Sequence, residues 1–212
     1  MSMEGVAVIG AGGHAGVVID TLLEAGFSVG GVFDDDVSRH GTEVLGYKVL
    51  GPPEALRAYG LRKAIVAIGD NHLRYAMVQR FPDLEWQTVI HPDARVHPNA
   101  RIGVGTIVMV RTIIRPNAVI GAHAIINTAA IVGHECVVED FVHVAGSTHL
   151  GGECHIGTGA FLGLGVVMVP GVHVGVWSVV GAGAAVTGDV PAQVLAVGVP
   201  ARVKKSLLGD LP

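Results

Sequence analysis

Charge is scarce in this chain: Asp, Glu, Lys and Arg make up 15% of its 212 residues, and 14 basic against 18 acidic side chains leave a net charge of −4. No basic run breaks this balance, which argues against a nucleic-acid surface. Apolar residues form half of the sequence, yet no stretch of them approaches the roughly eighteen needed to span a bilayer, so no integral membrane segment is expected. The opening apolar run, Val6 to Ile9, ends in glycines and follows no charged leader, so no signal peptide is expected and the cytoplasm is the expected compartment. There are only two cysteines, Cys136 and Cys154, and no Cys-x-x-Cys spacing, so neither a zinc nor a redox motif is read here.

What the chain has instead is a period. From Val96 to Val186 a sizeable apolar residue stands at every sixth position, through Ile102, Val108, Ile114 and onward. A small or modest residue precedes each by two positions, as Ala118 precedes Ile120 and Ala130 precedes Val132. An α-helix repeats at 3.6 residues and an ordinary strand at 2, so neither produces this pattern. Short strands stacked as a parallel β-helix do, each coil burying its apolar row against the next.

Before the repeat the pattern differs. Val6 to Ile9 reads as a buried strand, Gly10 to His14 as a glycine-rich turn, and Ala15 to Ala25 as a helix. Val29 to Phe33 is a second strand ending in Asp34-Asp35-Asp36, and Ala64 to Ile68 another ending in Gly69-Asp70-Asn71. Alternating strands and helices imply a small parallel sheet, Rossmann-like but with only about four strands. Gly10, Gly12 and Ala15 match a dinucleotide fingerprint, and Asp34 lies near where an acid would meet a ribose hydroxyl. A nicotinamide cofactor, a nucleotide-linked sugar and a purely structural turn all fit that signal. Half a dinucleotide fold and a histidine at position 14 favour the sugar.

The hexapeptides, the turn Gly12-Gly13-His14, the pair Asp34-Asp35 and the segment Ala67-Ile68-Gly69-Asp70-Asn71 together resemble the hexapeptide-repeat sugar acetyltransferases of the sialic-acid O-acetyltransferase, bacillosamine N-acetyltransferase and perosamine N-acetyltransferase group. The resemblance runs from about Val6 to Lys205. It implies a left-handed β-helix whose triangular coils each take three hexapeptides, so that residues eighteen apart stack and sixteen repeats make about five coils. The expected organisation is an α/β nucleotide-sugar domain at 1–90, the β-helix at 91–200 and a short tail at 201–212. Val197 to Arg202 looks like the family's closing signature.

The resemblance also implies a site. Asn127-Thr128 and His134-Glu135-Cys136 match the segment that carries the catalytic base, which makes His134 the base and Glu135 its partner. It places the nucleotide-sugar on Gly12, Gly13, His14, Asp34, Asp35, Gly69 and Asn127, and acetyl-CoA on His143, Leu164 and Ala182. It implies acetyl-CoA as co-substrate, no metal, and a homotrimer with active sites between subunits. The reaction implied is N-acetylation of the 4-amino group of a UDP- or GDP-linked amino-dideoxy sugar; sialic-acid-type O-acetylation is the nearest alternative.

The eighteen-residue ruler adds geometry of its own. Cys136 and Cys154 stack in the small inward register, as buried reduced thiols. His143, His149, His155 and His173 each precede an inward residue and so face outward. Gly152 lies one coil above His134, where its N–H could stabilise a tetrahedral oxyanion. His143 follows His134 by half a coil, which puts the two on opposite sides of one prism. If both serve one reaction, a second subunit completes the site. A zinc hydratase of the γ-carbonic-anhydrase kind remains as an alternative of another class, because His155 and His173 stack; no third histidine completes a ligand set.

Overall fold

The computed structural model describes residues 5–208. The chain divides between His91 and Pro92 into two compact units. The first unit is built on β1 (Val6–Ile9), buried along its whole length. It is followed by α1 (Gly13–Glu24), β2 (Val29–Phe33), the short hairpin of β3 (Glu43–Val44) and β4 (Tyr47–Lys48), then β5 (Lys63–Val66), α2 (Asn71–Arg80) and β6 (Glu85–Trp86). The sheet order is β2-β1-β5-β6, all parallel. A strand paired on both edges and covered on both faces must be apolar throughout, and Val6-Ala7-Val8-Ile9 is. The ends of β1, β2 and β5 lie side by side at one edge, and the glycine-rich turn, Asp34-Asp35 and Gly69 all follow those ends.

The second unit is a β-solenoid whose two-residue strands fall on three faces. One face stacks Arg95–Val96, Ile113–Ile114, Ile131–Val132, His149–Leu150, Val167–Met168 and Ala185–Val186. The next runs from Arg101–Ile102 through Val137–Val138 to His173–Val174. The third includes Ile107–Val108, Ile125–Ile126, His143–Val144, Phe161–Leu162 and Val179–Val180. Every pairing between these coils joins residues eighteen apart, as Ile126 with Val144 and Val138 with Ile156. The sixth-position residues and their small partners fill the prism: Ile126, Ala130, Val132, Cys136, Val138 and Val144 are fully buried in one continuous core. Burying each large aliphatic side chain contributes about 1.5–3 kcal/mol.

A second period of six runs through the corners. From Gly105 to Gly183, one residue per hexapeptide has φ between 54° and 74°, whether glycine or not; Asn117, Glu135, Ser147, Glu153 and Trp177 are among them. The sharp corner imposes the left-handed conformation, at a cost of roughly 1–2 kcal/mol where the residue is not glycine, and the stacked core offsets it. Because all these corners share it, the positive φ of Glu135 is a property of the solenoid and not of a site.

The stack is slightly taller than the about five coils expected. The strict period ends at Val186, but the chain goes on pairing: Val190 bridges Val174, and Val194–Val197 runs parallel to Val179–Val180. The segment expected as a tail contributes to this closing edge. Arg202–Ser206 forms an antiparallel strand on Val194–Val197 and covers that edge of the sheet. Of the segments expected at 1–90 and 201–212, residues 1–4 and 209–212 lie outside the described residues.

Candidate active site

The first unit contains a cavity of about 590 Å³, and Gly12, Gly13, His14, Asp34, Asp35 and Gly69 all line it. Its floor is the start of α1. Gly12 caps that helix with no side-chain hydrogen bond, and no acidic residue stands in the first turn. A Cβ added at Gly12 or Gly13 would meet nothing within 4 Å, and neither residue has a positive φ. Neither glycine is thus demanded by packing or by backbone conformation, in contrast to Gly10, whose φ is 109° and whose Cβ would strike Ile68. Open space over a helix N-terminus is what a phosphate needs.

The carboxylates of this cavity have local duties. Asp34 accepts the N–H of Ala11 at 2.6 Å and that of Asp36 at 2.8 Å, so it ties the glycine-rich turn to the end of β2. Asp35 receives both terminal nitrogens of Arg80, at 2.7 and 2.8 Å, and these bonds hold its carboxyl below the usual range. Arg80 also pairs with Glu54, and Arg39 donates to the carbonyl of Ala11 at 2.7 Å. Arg39 and Arg80 line the cavity and bring its cationic charge. The strand-end pattern pointed to the acids and missed these arginines, which come from a 3-10 turn and from the end of α2.

His14 is pushed down to about 4, first by burial and then by the charge of Arg74. At neutral pH its ring is therefore uncharged, able to hydrogen-bond but not to act as a counter-charge. Arg74 is itself buried, at 2% exposure, with hydrogen bonds to the carbonyls of Ile68 and Gly69 and to Asn71 Oδ1. Asp70 caps α2 through the N–H of Leu73 at 2.9 Å. These bonds fix the segment Gly69-Asp70-Asn71, of which Gly69 lines the cavity.

In the solenoid, His134 stands at a corner after Ile131–Val132. Its Nδ1 lies 3.0 Å from Glu135 Oε2, and the two side chains are 57% and 55% exposed. A carboxylate only accepts, so Nδ1 carries the proton and Nε2 presents a lone pair. Gly152 does lie one coil above, and its missing side chain makes room for the imidazole itself: a Cβ there would lie 2.5 Å from His134 Cε1. The same ruler finds a residue that reading along the chain missed. Glu153, eighteen beyond Glu135, bonds through its N–H to the carbonyl of His134 at 2.8 Å, and its carboxylate lies within 4.8 Å of the His134 and Glu135 ligand atoms.

His143 is on a different face of the prism from the strand that carries His134. Its register is outward, but it is buried, at 7% exposure, which alternation alone did not reveal. Asn127 is beside His143, its Nδ2 3.2 Å from the ring Nε2. Leu164, 65% exposed, and Ala182 mark successive coils at another corner, where the N–H of Gly183 bonds to the carbonyl of Leu164 and a Cβ at Gly163 would strike the backbone of Ala182. Both cysteines are buried free thiols donating to carbonyls of the next coil, Gly151 and Val169. Hydrogen bonding between them and burial push the Cys136 thiol well up. His155 and His173 do stack, with ring centres 5.6 Å apart, but Glu139 holds His155 Nε2 at 2.6 Å and accepts from Thr158 as well.

Comparison with known proteins identifies the family. Residues 5–81 match the family model of the PglD N-terminal domain. Perosamine N-acetyltransferase from Caulobacter crescentus, solved with CoA and GDP-perosamine, is 41% identical, with a TM-score of 0.91 over 97% of this chain and 99% of that one. The acetyltransferase domain of PglB from Neisseria gonorrhoeae is 33% identical (TM-score 0.87, 94% and 98% covered), and WeeI from Acinetobacter baumannii is 27% identical (TM-score 0.83, 94% and 99% covered). The curated relatives are matched over less of their length: 16% of a mimivirus protein, L142, and 24% of acetyltransferases from Staphylococcus aureus. With nearly the whole length of two relatives matched at 41% and 33% identity, the chain belongs to the hexapeptide-repeat sugar acetyltransferases that join a PglD-type N-terminal domain to a β-solenoid.

Proposed function

We propose that this protein transfers the acetyl group of acetyl-CoA to the 4-amino group of a nucleotide-linked 4-amino-dideoxy sugar, as a cytoplasmic homotrimer. The observation that carries the reading is the His134–Glu135 pair, with Nδ1 committed to the carboxylate and Nε2 open to accept. The sugar amine attacks the thioester carbonyl, and His134 Nε2 takes the amine proton as the C–N bond forms. Glu135 stabilises the imidazolium. The C–S bond then breaks, and the proton returns to the departing CoA sulfur. No acyl-enzyme is needed, and with both cysteines buried in the core none is proposed.

In this reading the first unit holds the nucleotide. Its diphosphate lies at the start of α1 over Gly12 and Gly13, His14 meets it as a neutral ring, and the Asp34-Asp35 and Gly69 strand ends flank it. His143, Leu164 and Ala182 meet acetyl-CoA, and Gly152 N–H is an oxyanion donor. His134 and His143 serve one reaction across two subunits. The 41% identity to an enzyme that binds GDP-perosamine supports a GDP-linked substrate ahead of a UDP-linked one.

Acetyl transfer to GDP-linked and UDP-linked 4-amino sugars and to free sialic acid, followed by CoA thiol release and product mass, tests this. The expected product is an acid- and base-stable amide on one of the nucleotide sugars. An alkali-labile ester, or transfer to sialic acid alone, would overturn it.

A further inference from the structure

The amide of Asn127 is oriented by its own backbone neighbour. Oδ1 accepts the N–H of Thr128 at 2.7 Å, which leaves Nδ2 as the group facing His143 Nε2 at 3.2 Å. An amide NH₂ only donates, so Nε2 must offer its lone pair, and a neutral ring with Nε2 as acceptor carries its proton on Nδ1. The surroundings hold the ring in place. The strands on either side put Ile125 and Phe161 next to His143, and the Phe161 ring meets it edge-on, 5.1 Å between centres at 89°.

We infer that Asn127 is a positioning residue: by occupying Nε2 it fixes the Nδ1–H tautomer of His143 and makes that ring a hydrogen-bond donor. The two histidines then divide the work. His134 is oriented by a carboxylate, which accepts, and so presents a lone pair through Nε2. His143 is oriented by an amide, which donates, and so presents an N–H through Nδ1. One takes a proton and the other supplies a hydrogen bond to an acceptor atom of the thioester or pantetheine. Asn127 therefore acts through His143 and not by contact with the sugar. This second half rests on the acetyl-transfer reading; the tautomer does not.

The test reads both halves. In protein labelled with ¹⁵N-histidine, long-range ¹H–¹⁵N correlations identify which ring nitrogen bears the proton, and the His143 signal is assigned by its loss in His143→Gln. The resting wild type is expected to show a protonated Nδ1 and a bare Nε2. Asn127→Asp, nearly isosteric but an acceptor, is expected to draw the proton to Nε2, and Asn127→Ala to give a mixture. Acetyl transfer should fall by about 10²-fold in both, the scale of losing one oriented donor, with the KM for the nucleotide sugar little changed. A wild-type His143 protonated on Nε2 overturns the inference, and so does an Asn127→Asp protein with unchanged spectrum or unchanged kcat. A wild type that transfers no acetyl group, yet shows the expected tautomer, refutes the proposed function and leaves the tautomer assignment standing. If Asn127→Asp fails to fold, Asn127→Ala carries the same reading.

Discussion

Replacing Gly152 with alanine isolates the position of the base. Gly152 does not have a positive φ, so its backbone accepts a side chain without strain. What the new Cβ meets is the His134 ring, at 2.5 Å from Cε1, where ordinary contact begins at 3.4 Å. The imidazole must retreat by about 1 Å, a displacement that costs on the order of 10²-fold in a positioned catalytic group. That is roughly 2.7 kcal/mol in the barrier. Stability should hardly change, because the His134 side chain is 57% exposed and can swing into solvent, while Gly→Ala at a compatible site gains about 0.4–1 kcal/mol from the unfolded chain. Gly133→Ala is the contrast: its Cβ would strike the Gly151 carbonyl oxygen at 2.5 Å, which is backbone and cannot swing away, so that variant should lose stability first. Steady-state thiol release from acetyl-CoA, paired with urea unfolding, separates the two. The double variant Gly152→Ala/His134→Ala should be no slower than His134→Ala alone, since both act through one ring. A Gly152→Ala enzyme within about threefold of wild-type kcat, far short of the loss expected from a displaced base, would refute the reasoning.

Other expectations follow from the same geometry. His134→Ala should lower kcat by roughly 10²–10⁴-fold and leave the unfolding midpoint unchanged, as suits an exposed corner; near-normal turnover would remove it as the base. Gly13→Ala should fold like wild type, since its Cβ meets nothing, and should raise the KM for the nucleotide sugar without raising that for acetyl-CoA; unchanged KM for both would mean the open space holds no phosphate. His14, held at about 4 in the folded chain against 6.5 for an imidazole in water, takes up a proton on unfolding anywhere between those values. Stability should therefore fall as pH drops from 6.5 to 4, by up to about 3 kcal/mol, with nothing lost at higher pH. His14→Asn should flatten that slope in urea titrations run at neutral pH, near the upper value and midway between the two, and parallel slopes would contradict it.

The solenoid was legible because its one constraint, an inward apolar residue per hexapeptide, is written at a fixed interval in the chain. Ile126, Val144 and Leu162 read as a stack before any coordinate does. The strand-end cavity was legible for a similar reason, since Gly12 to His14, Asp34-Asp35 and Gly69 each follow a recognisable strand. What escaped were properties set by neighbours across coils or helices. Glu153 joins the His134–Glu135 pair only through the eighteen-residue stack. The burial of His143 and the partner of Asn127 depend on lateral packing, which no register specifies. Asp34 follows a strand end, where the sequence pattern suggests a ribose contact, yet its carboxylate is engaged by the N–H groups of Ala11 and Asp36. Arg80 and the buried Arg74 lie on α2, a helix whose sequence shows no apolar stripe to flag them.

Central to the proposed mechanism is that His134 and His143 act together although one prism holds them on different faces. Mixing inactive His134→Ala and His143→Ala proteins under conditions that exchange subunits, then measuring acetyl transfer, tests this most directly. Random assortment in a ring of identical contacts pairs an intact His134 with an intact His143 from its neighbour at about a quarter of the sites, so roughly a quarter of wild-type activity should return. If the mixture stays as inactive as its two components while subunit exchange is verified, the site is not shared between subunits and the mechanism fails.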